Sequence, residues 1–349
     1  MNEDLISKIK EKKDLLKDKL TILAHHYQNI EIVKLADVIG DSYKLAVEGS
    51  RSNAEFILFC GVKFMAEGAG ILAKQTQKIA MPDMEAGCPM AEMITAEKAK
   101  EVYNKIREHC NKEVVPVVYV NSYEDMKSFC GDRGGSACTS SNAKKILEYY
   151  FNQGKSVFFS PDYNLGINTA KSLELKKDEI IKIKRNLSFE GNIKTGRLFI
   201  WDGFCIVHKM FTPSHIVNLR EKYKDIKIIV HPECDEEVVT MSDIAGSTEK
   251  IWHTVKESKP GSIWGIGTEF NFVGRLAEEC KDKTVIPLTE SSCSNMEKIS
   301  LSDLALSLDS IFDYIKGSGK LRFEIKACEN FKENAKKSLE KMIEISESK

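Results

Sequence analysis

Cys88, Cys205 and Cys293 each stand in a polar loop that follows an apolar, strand-like run, next to Pro89 or near Asp202 and Ser294. A lone free cysteine usually fills a core as a small hydrophobe. Core filling gives no reason for thiols to recur at matched polar positions, so these three read as metal ligands. The other seven (Cys60, Cys110, Cys130, Cys138, Cys234, Cys280 and Cys328) have no threefold counterpart and read as core residues. No CxxC pair occurs, so any ligand set must converge from distant parts of the chain. Three thiolates suit two metals. Zinc would need a fourth ligand, which His208 could supply. A [4Fe–4S] cluster normally takes four cysteines, and with three it leaves one iron open as a Lewis acid that promotes loss of water. One cysteine from each of three repeats favours the cluster.

A second set of residues could move protons. His25-x-Tyr27 and His231-x-Glu233 follow strand-like runs, where alternate side chains point the same way. A histidine beside a phenol or a carboxylate is a suitable general acid–base pair. Tyr119, Val120 and Asn121 occupy the equivalent place in a third copy, while His26 has no counterpart. The plainer reading of each histidine is a hydrogen-bonded residue at a sheet edge; recurrence favours a site. Ser42, Ser140 and Thr248 each stand where a helical stretch begins. They suit N-caps, and equally an anion site made by exposed N–H groups and the helix dipole. Three such termini suit a ligand bearing carboxylates and phosphate.

The elements that position these residues form a repeat. TILAHHYQ, EFILFCG and KIAMPD precede Cys88, and IKIIVHPE, SIWGIGTE and TVIPLTESSC lead to Cys293. His25 and Cys88 are 63 residues apart, and His231 and Cys293 are 62 apart. A looser copy runs from VVPVVYVNS through SVFFSPDYNLG to RLFIWDGFC, stretched by GDRGGSA and by residues 171–196. Strand–helix alternation of this kind predicts parallel sheets covered by helices. The polar residues then lie at strand carboxyl ends, where α/β proteins bind ligands. The predicted fold is therefore α/β: three homologous α/β/α sandwich domains with parallel sheets around a pseudo-threefold axis. Their expected limits are 1–95 with an N-terminal helix, 96–210 with an insertion near 171–196, 211–300, and 301–349 as C-terminal helices packing on the core.

The 349 residues are 42% hydrophobic and 30% charged, ordinary for a globular protein, with a net charge of −1. That balance argues against nucleic acid or an anionic membrane as partner. No apolar run is long enough to span a bilayer, and the first residues lack a signal-peptide core. A cytoplasmic location is expected, where ten cysteines are unlikely to form disulfides.

Taken together, AHHYQ, GDSYKLA, CGVKFMAE, YVNS, CTSSNA, PDYNLG, GFCIVH, HPE, SDIAGST and CSNM resemble the quinolinate synthase (NadA) family over roughly residues 20–300. The resemblance implies a [4Fe–4S] enzyme of NAD biosynthesis, a transferase that condenses iminoaspartate with dihydroxyacetone phosphate to quinolinate. An L-aspartate oxidase or aspartate dehydrogenase would supply the iminoaspartate. Carried over by residue, it implies Cys88, Cys205 and Cys293 as cluster ligands. It implies His25, Ser42, Tyr119, Val120, Asn121, Ser140, His231, Pro232, Glu233 and Thr248 at the substrate, and Tyr27 as the catalytic tyrosine. His25, His231 and Glu233 are the further proton carriers. Rival readings are the diphthamide-synthesis family, the reductive dehydroxylase of isoprenoid synthesis, a metal-binding sensor and a zinc-stabilised structural protein.

Overall fold

The structure, a computed structural model, describes residues 2–348. The chain groups into two compact units, Met1–Cys88 with Ser292–Cys328, and Pro89–Ser291 with Glu329–Lys349.

In the first unit the strands are β1 (Leu20–His25), β2 (Val38–Gly40), β3 (Phe56–Cys60) and β4 (Lys78–Ala80). They pair in parallel in the order β4-β3-β1-β2, and a short antiparallel strand, Glu324–Ile325, borders β4. Every residue of β3, FILFC, is buried, as parallel strands covered on both faces require. The helices Ser42–Arg51 and Lys63–Leu72 make the crossovers, and the helix Asn2–Leu16 packs on Leu301–Ile315.

The second unit holds two sheets. One contains β5 (Val114–Tyr119), β6 (Ser136–Cys138), β7 (Ser156–Ser160), β8 (Ile180–Ile183), β9 (Phe189–Glu190) and β10 (Leu198–Trp201), in the order β6-β5-β7-β10-β8-β9. The other contains β11 (Lys227–Val230), β12 (Ile244–Ala245), β13 (Ile263–Gly267) and β14 (Thr284–Pro287), in the order β12-β11-β13-β14. The fold is thus α/β with three mostly parallel sheets, as the strand–helix alternation predicts.

All three sheets share one plan. The first strand lies inside, the second pairs on one side of it, and the third pairs on the other, followed in turn by β4, β10 or β14. Chain direction across the sheet therefore reverses between the first and third strands, and ligands bind at the carboxyl side of such a reversal. Local hydrogen bonds repeat as well. Asp37 accepts from the Ile22 N–H at 2.8 Å, and Asp243 accepts from the Ile228 N–H at 2.6 Å.

Three further features complete the fold. The short strands β2, β6 and β12 precede the crossover helices; two or three residues are too few to show a period of two. Residues 171–196, the insertion, widen the sheet, with β8 parallel to β10 and β9 antiparallel to β8. The Lys/Glu-rich C-terminal helix Glu329–Glu347 is packed within the second unit. It buries Ala335, Ser338, Leu339, Met342 and Ile345, and packs on the helix Glu124–Gly131 and on β6. That docking needs Gly131, because a Cβ there would sit 1.9 Å from the Asn334 carbonyl oxygen. No helix among the described residues is long and apolar enough to cross a membrane.

Candidate active site

Within the second unit, the ends of β5 and β11 deliver Tyr119 and His231, and the turn after β11 delivers Glu233. Tyr119 donates its hydroxyl to Glu233 Oε1 at 2.5 Å, and His208 Nδ1 lies 2.8 Å from Glu233 Oε2. His208 Nε2 lies 3.1 Å from the Thr268 hydroxyl. The His208 and His231 rings stack at 4.4 Å and 18°, and His231 Nε2 is 3.2 Å from Ser140 Oγ. Residues from both sheets of this unit therefore meet in one polar cluster. Glu233 is 2% exposed and His231 4%, so the cluster works outside bulk water.

Burial decides the charges. It pushes the His231 imidazole down to about 3, helped by His208 and opposed by Glu233, so this histidine is neutral at ordinary pH. Its Nδ1 accepts from the Glu233 N–H at 3.4 Å, which leaves Nε2–H to donate to Ser140. For Glu233, burial opposes ionisation, but the neighbouring His208 and the hydrogen bonds from His208 and Tyr119 outweigh it and hold the carboxyl below its usual range. An ionised carboxylate only accepts, so His208 Nδ1 carries the proton shared with it. A second carboxyl, Asp162, is fully buried and driven well above the usual range by burial and by Glu233, against N–H bonds from Leu165, Cys205 and Asn164. Their surroundings thus push the two buried acids in opposite directions. Environments that push two carboxyls apart in this way separate acid from base roles.

Cys205 follows β10 in the same cluster. Its sulfur, a ring nitrogen of His208 and an oxygen of Glu233 all lie within 4.8 Å of one another. The loop is held by Gly203, whose N–H bonds the Trp201 carbonyl and whose carbonyl accepts from the Tyr163 N–H at 2.8 Å. A side chain at Gly203 would meet the Pro161 carbonyl oxygen at 2.3 Å. His208 is placed here as a partner of Glu233 and Thr268, with both ring nitrogens engaged.

In the first unit, the Tyr27 N–H donates to His25 Nδ1 at 3.2 Å, the counterpart of the Glu233–His231 bond, and the two rings meet edge-on at 4.5 Å. Cys88 and Cys293 lie in loops of this unit. Lys298, five residues past Cys293, bonds the Glu85 carbonyl, and Gln28, three residues past His25, bonds the Met296 carbonyl at 3.2 Å. The two cysteine loops are thus tied to one another and to the end of β1. No disulfide joins any of the ten cysteines among the described residues. Cys88, Cys205 and Cys293 are half-buried, whereas Cys60, Cys130, Cys138, Cys234 and Cys280 are buried with thiols raised by desolvation. Cys110 and Cys328, expected in the core, are half-buried.

The helix starts differ from the expected capping. Asp41 and Ser247 are the N-caps, accepting from the Lys44 and Lys250 N–H groups, so Ser42 and Thr248 are the first helical residues. Ser140 lies before the cap Asn142 of the helix Ala143–Asn152 and bonds His231 instead. The three hydroxyls are therefore not spent on capping. His208 as the partner of Glu233, Thr268 and Asp162 escaped the sequence reading. The spacing of GFCIVH hinted at the first, but nothing local marked the other two.

Strand carboxyl ends that gather buried acids, neutral histidine and a half-buried thiol define an α/β enzyme with a metal-competent centre. More narrowly, the chain belongs to the quinolinate synthetase A protein family, whose model matches residues 5–344. Proteins named quinolinate synthase are similar along nearly its whole length. The one from Listeria innocua is 38% identical over 351 residues, covering 99% of this chain and 94% of the relative. The one from Staphylococcus carnosus is 41% identical over 349 residues, covering 98% and 94%. The Streptomyces coelicolor protein is 39% identical over 353 residues, covering 98% and 88%.

Proposed function

We propose that this chain is a transferase of NAD biosynthesis that condenses iminoaspartate with dihydroxyacetone phosphate and cyclises the product to quinolinate, releasing phosphate and water. Family membership supports the activity. The observation that carries the chemistry is the buried Tyr119–Glu233–His208 cluster beside Cys205. We assign Cys88, Cys205 and Cys293 to a [4Fe–4S] cluster, one per chain. Their half-buried loops set them apart from the five core thiols, and the donor chemistry fits iron–sulfur ligation. Bound by three cysteines, such a cluster supplies an open Lewis-acidic iron suited to dehydration.

The protein's own residues would bind and move protons. A neutral His231 donates from Nε2, through the position Ser140 now holds, to a carboxylate or carbonyl oxygen. Glu233, ionised, accepts protons through the Tyr119 hydroxyl. Asp162, its carboxyl raised by burial and by Glu233, would be the acid of this pair. In the other unit Tyr27 and His25 would be the matching pair, with Tyr27 the catalytic acid–base group. Ser42, Asn121, Ser140, Thr248 and the backbone at Val120 and Pro232 would hold the carboxylates and phosphate, since the helix N-termini favour anions. An L-aspartate oxidase or aspartate dehydrogenase would supply iminoaspartate, and a chain whose cysteines form no disulfide suits the reducing cytoplasm.

The test replaces Cys88, Cys205 and Cys293 by alanine, one at a time. Each variant is expected to lose the brown chromophore and quinolinate formation together; a variant that keeps both is not missing a ligand.

A further inference from the structure

Lys127 lies on the helix Glu124–Gly131, yet its side chain is among the most completely buried in the protein, at 1% exposure. Lysine is almost never buried this far unless its ammonium is paired or hydrogen-bonded, because desolvating a charge is costly. Here Nζ donates to the carbonyl of Val120 at 3.0 Å and to that of Ser122. Both carbonyls belong to the loop leaving β5, which carries Tyr119 and Asn121. The same loop is folded sharply, with the Ser122 N–H bonding the Val120 carbonyl at 2.7 Å and the Val120 N–H bonding the Cys138 carbonyl at 2.9 Å.

Two polar atoms of this loop are buried without a hydrogen-bond partner among the described residues, Asn121 Oδ1 and Ser122 Oγ. Buried polar atoms are nearly always satisfied, so orphans this close to a polar cluster point to a ligand that completes them. The chain as a whole carries a net charge of −1, so attraction of an anionic substrate must come from fixed local charge. A buried ammonium is such a charge, and it acts through low-dielectric surroundings where its field is screened little.

We propose that Lys127 is a positioning residue for the substrate: its ammonium, clamped between the Val120 and Ser122 carbonyls, fixes the loop that presents Tyr119 and Asn121 and gives that loop the positive charge that holds a dicarboxylate. The inference rests on the dicarboxylate chemistry proposed above. It makes Lys127 distinct from the groups that touch reactants, because Lys127 acts through the loop.

The experiment measures binding of quinolinate, as the dicarboxylate probe, together with steady-state kinetics on the iron–sulfur-loaded enzyme. Wild type, Lys127→Gln and Lys127→Arg are compared at low and moderate salt. Losing a charge-assisted contact of this kind is expected to weaken quinolinate binding and raise KM by about tenfold or more. The fall in kcat should be smaller, and iron and sulfide content unchanged. Lys127→Arg keeps the charge but not the two-carbonyl clamp. It should recover part of the affinity, and its KM should stay several-fold above wild type. Should Lys127→Gln not fold, the Arg variant decides alone: a wild-type KM in it overturns the clamp. Wild-type affinity and KM in Lys127→Gln overturn the inference outright. A wild-type protein that does not bind quinolinate at all would instead refute the dicarboxylate reading itself.

Discussion

Replacing Glu233 by Gln changes one atom pair at the centre of the cluster and nothing in its volume. The carboxylate is 2% exposed and accepts from Tyr119 and from His208. Gln offers one acceptor oxygen where the carboxylate offers two, so one of these donors must find another arrangement. His208 can supply it: moving its proton to Nε2 lets that nitrogen donate to Thr268 Oγ at 3.1 Å, while Nδ1 accepts from the new amide. The fold should therefore survive with a loss of about 1–3 kcal/mol, the range for disturbed buried hydrogen bonds. Catalysis should not survive, because the amide can take no proton from Tyr119. Removing a general acid–base group costs roughly 10²–10⁴ in rate, which is about 3–5 kcal/mol on the barrier. The assay is quinolinate formation by anaerobically prepared enzyme, with iron content and thermal midpoint measured on the same sample. Turnover within about threefold of wild type, at full iron content, refutes the assignment of Glu233.

Tyr27→Phe should keep its iron and sulfide yet lose most quinolinate formation; normal turnover removes Tyr27 from the chemistry. Alkylation at pH 8 followed by mass spectrometry should label the five half-buried cysteines of metal-free protein and spare the five buried ones. After loading with iron and sulfide only Cys110 and Cys328 should still react, and labelling of Cys88, Cys205 or Cys293 then would exclude that residue as a ligand. Raised thiols such as Cys60, near 12, keep their protons in the fold after the unfolded chain releases them near 9. Stability is thus full below about pH 9 and falls from there towards 12, which urea midpoints across that range can check. Gly131→Ala should destabilise the protein by about 1–3 kcal/mol through displacement of the C-terminal helix, measured as a shift in denaturant midpoint; an unchanged midpoint means that the docking relaxes freely.

Much of this was legible because a repeat leaves two kinds of trace. Long apolar strands such as FILFC and VVPVVY declare themselves by composition. Polar residues that return at the same offset, His25 with His231 and Tyr27 with Glu233, mark strand ends. What stayed hidden depends on contacts made at a distance. The pairing of His208 with Thr268 spans 60 residues, and the C-terminal helix shows its apolar stripe only once Gly131 admits its backbone. Lys127 looks like any exposed lysine in the string EDMKSFCG. The caps were misjudged because Asp41-Ser42 and Ser247-Thr248 each offer two capping residues in a row, and only geometry shows that the first is used.

The most direct test is one preparation, purified without oxygen, in which iron, sulfide and quinolinate formation from iminoaspartate and dihydroxyacetone phosphate are measured together. About four iron and four sulfide per chain, with quinolinate produced in proportion, is the expected result. Zinc in place of iron, or a fully loaded protein that makes no quinolinate, would contradict it.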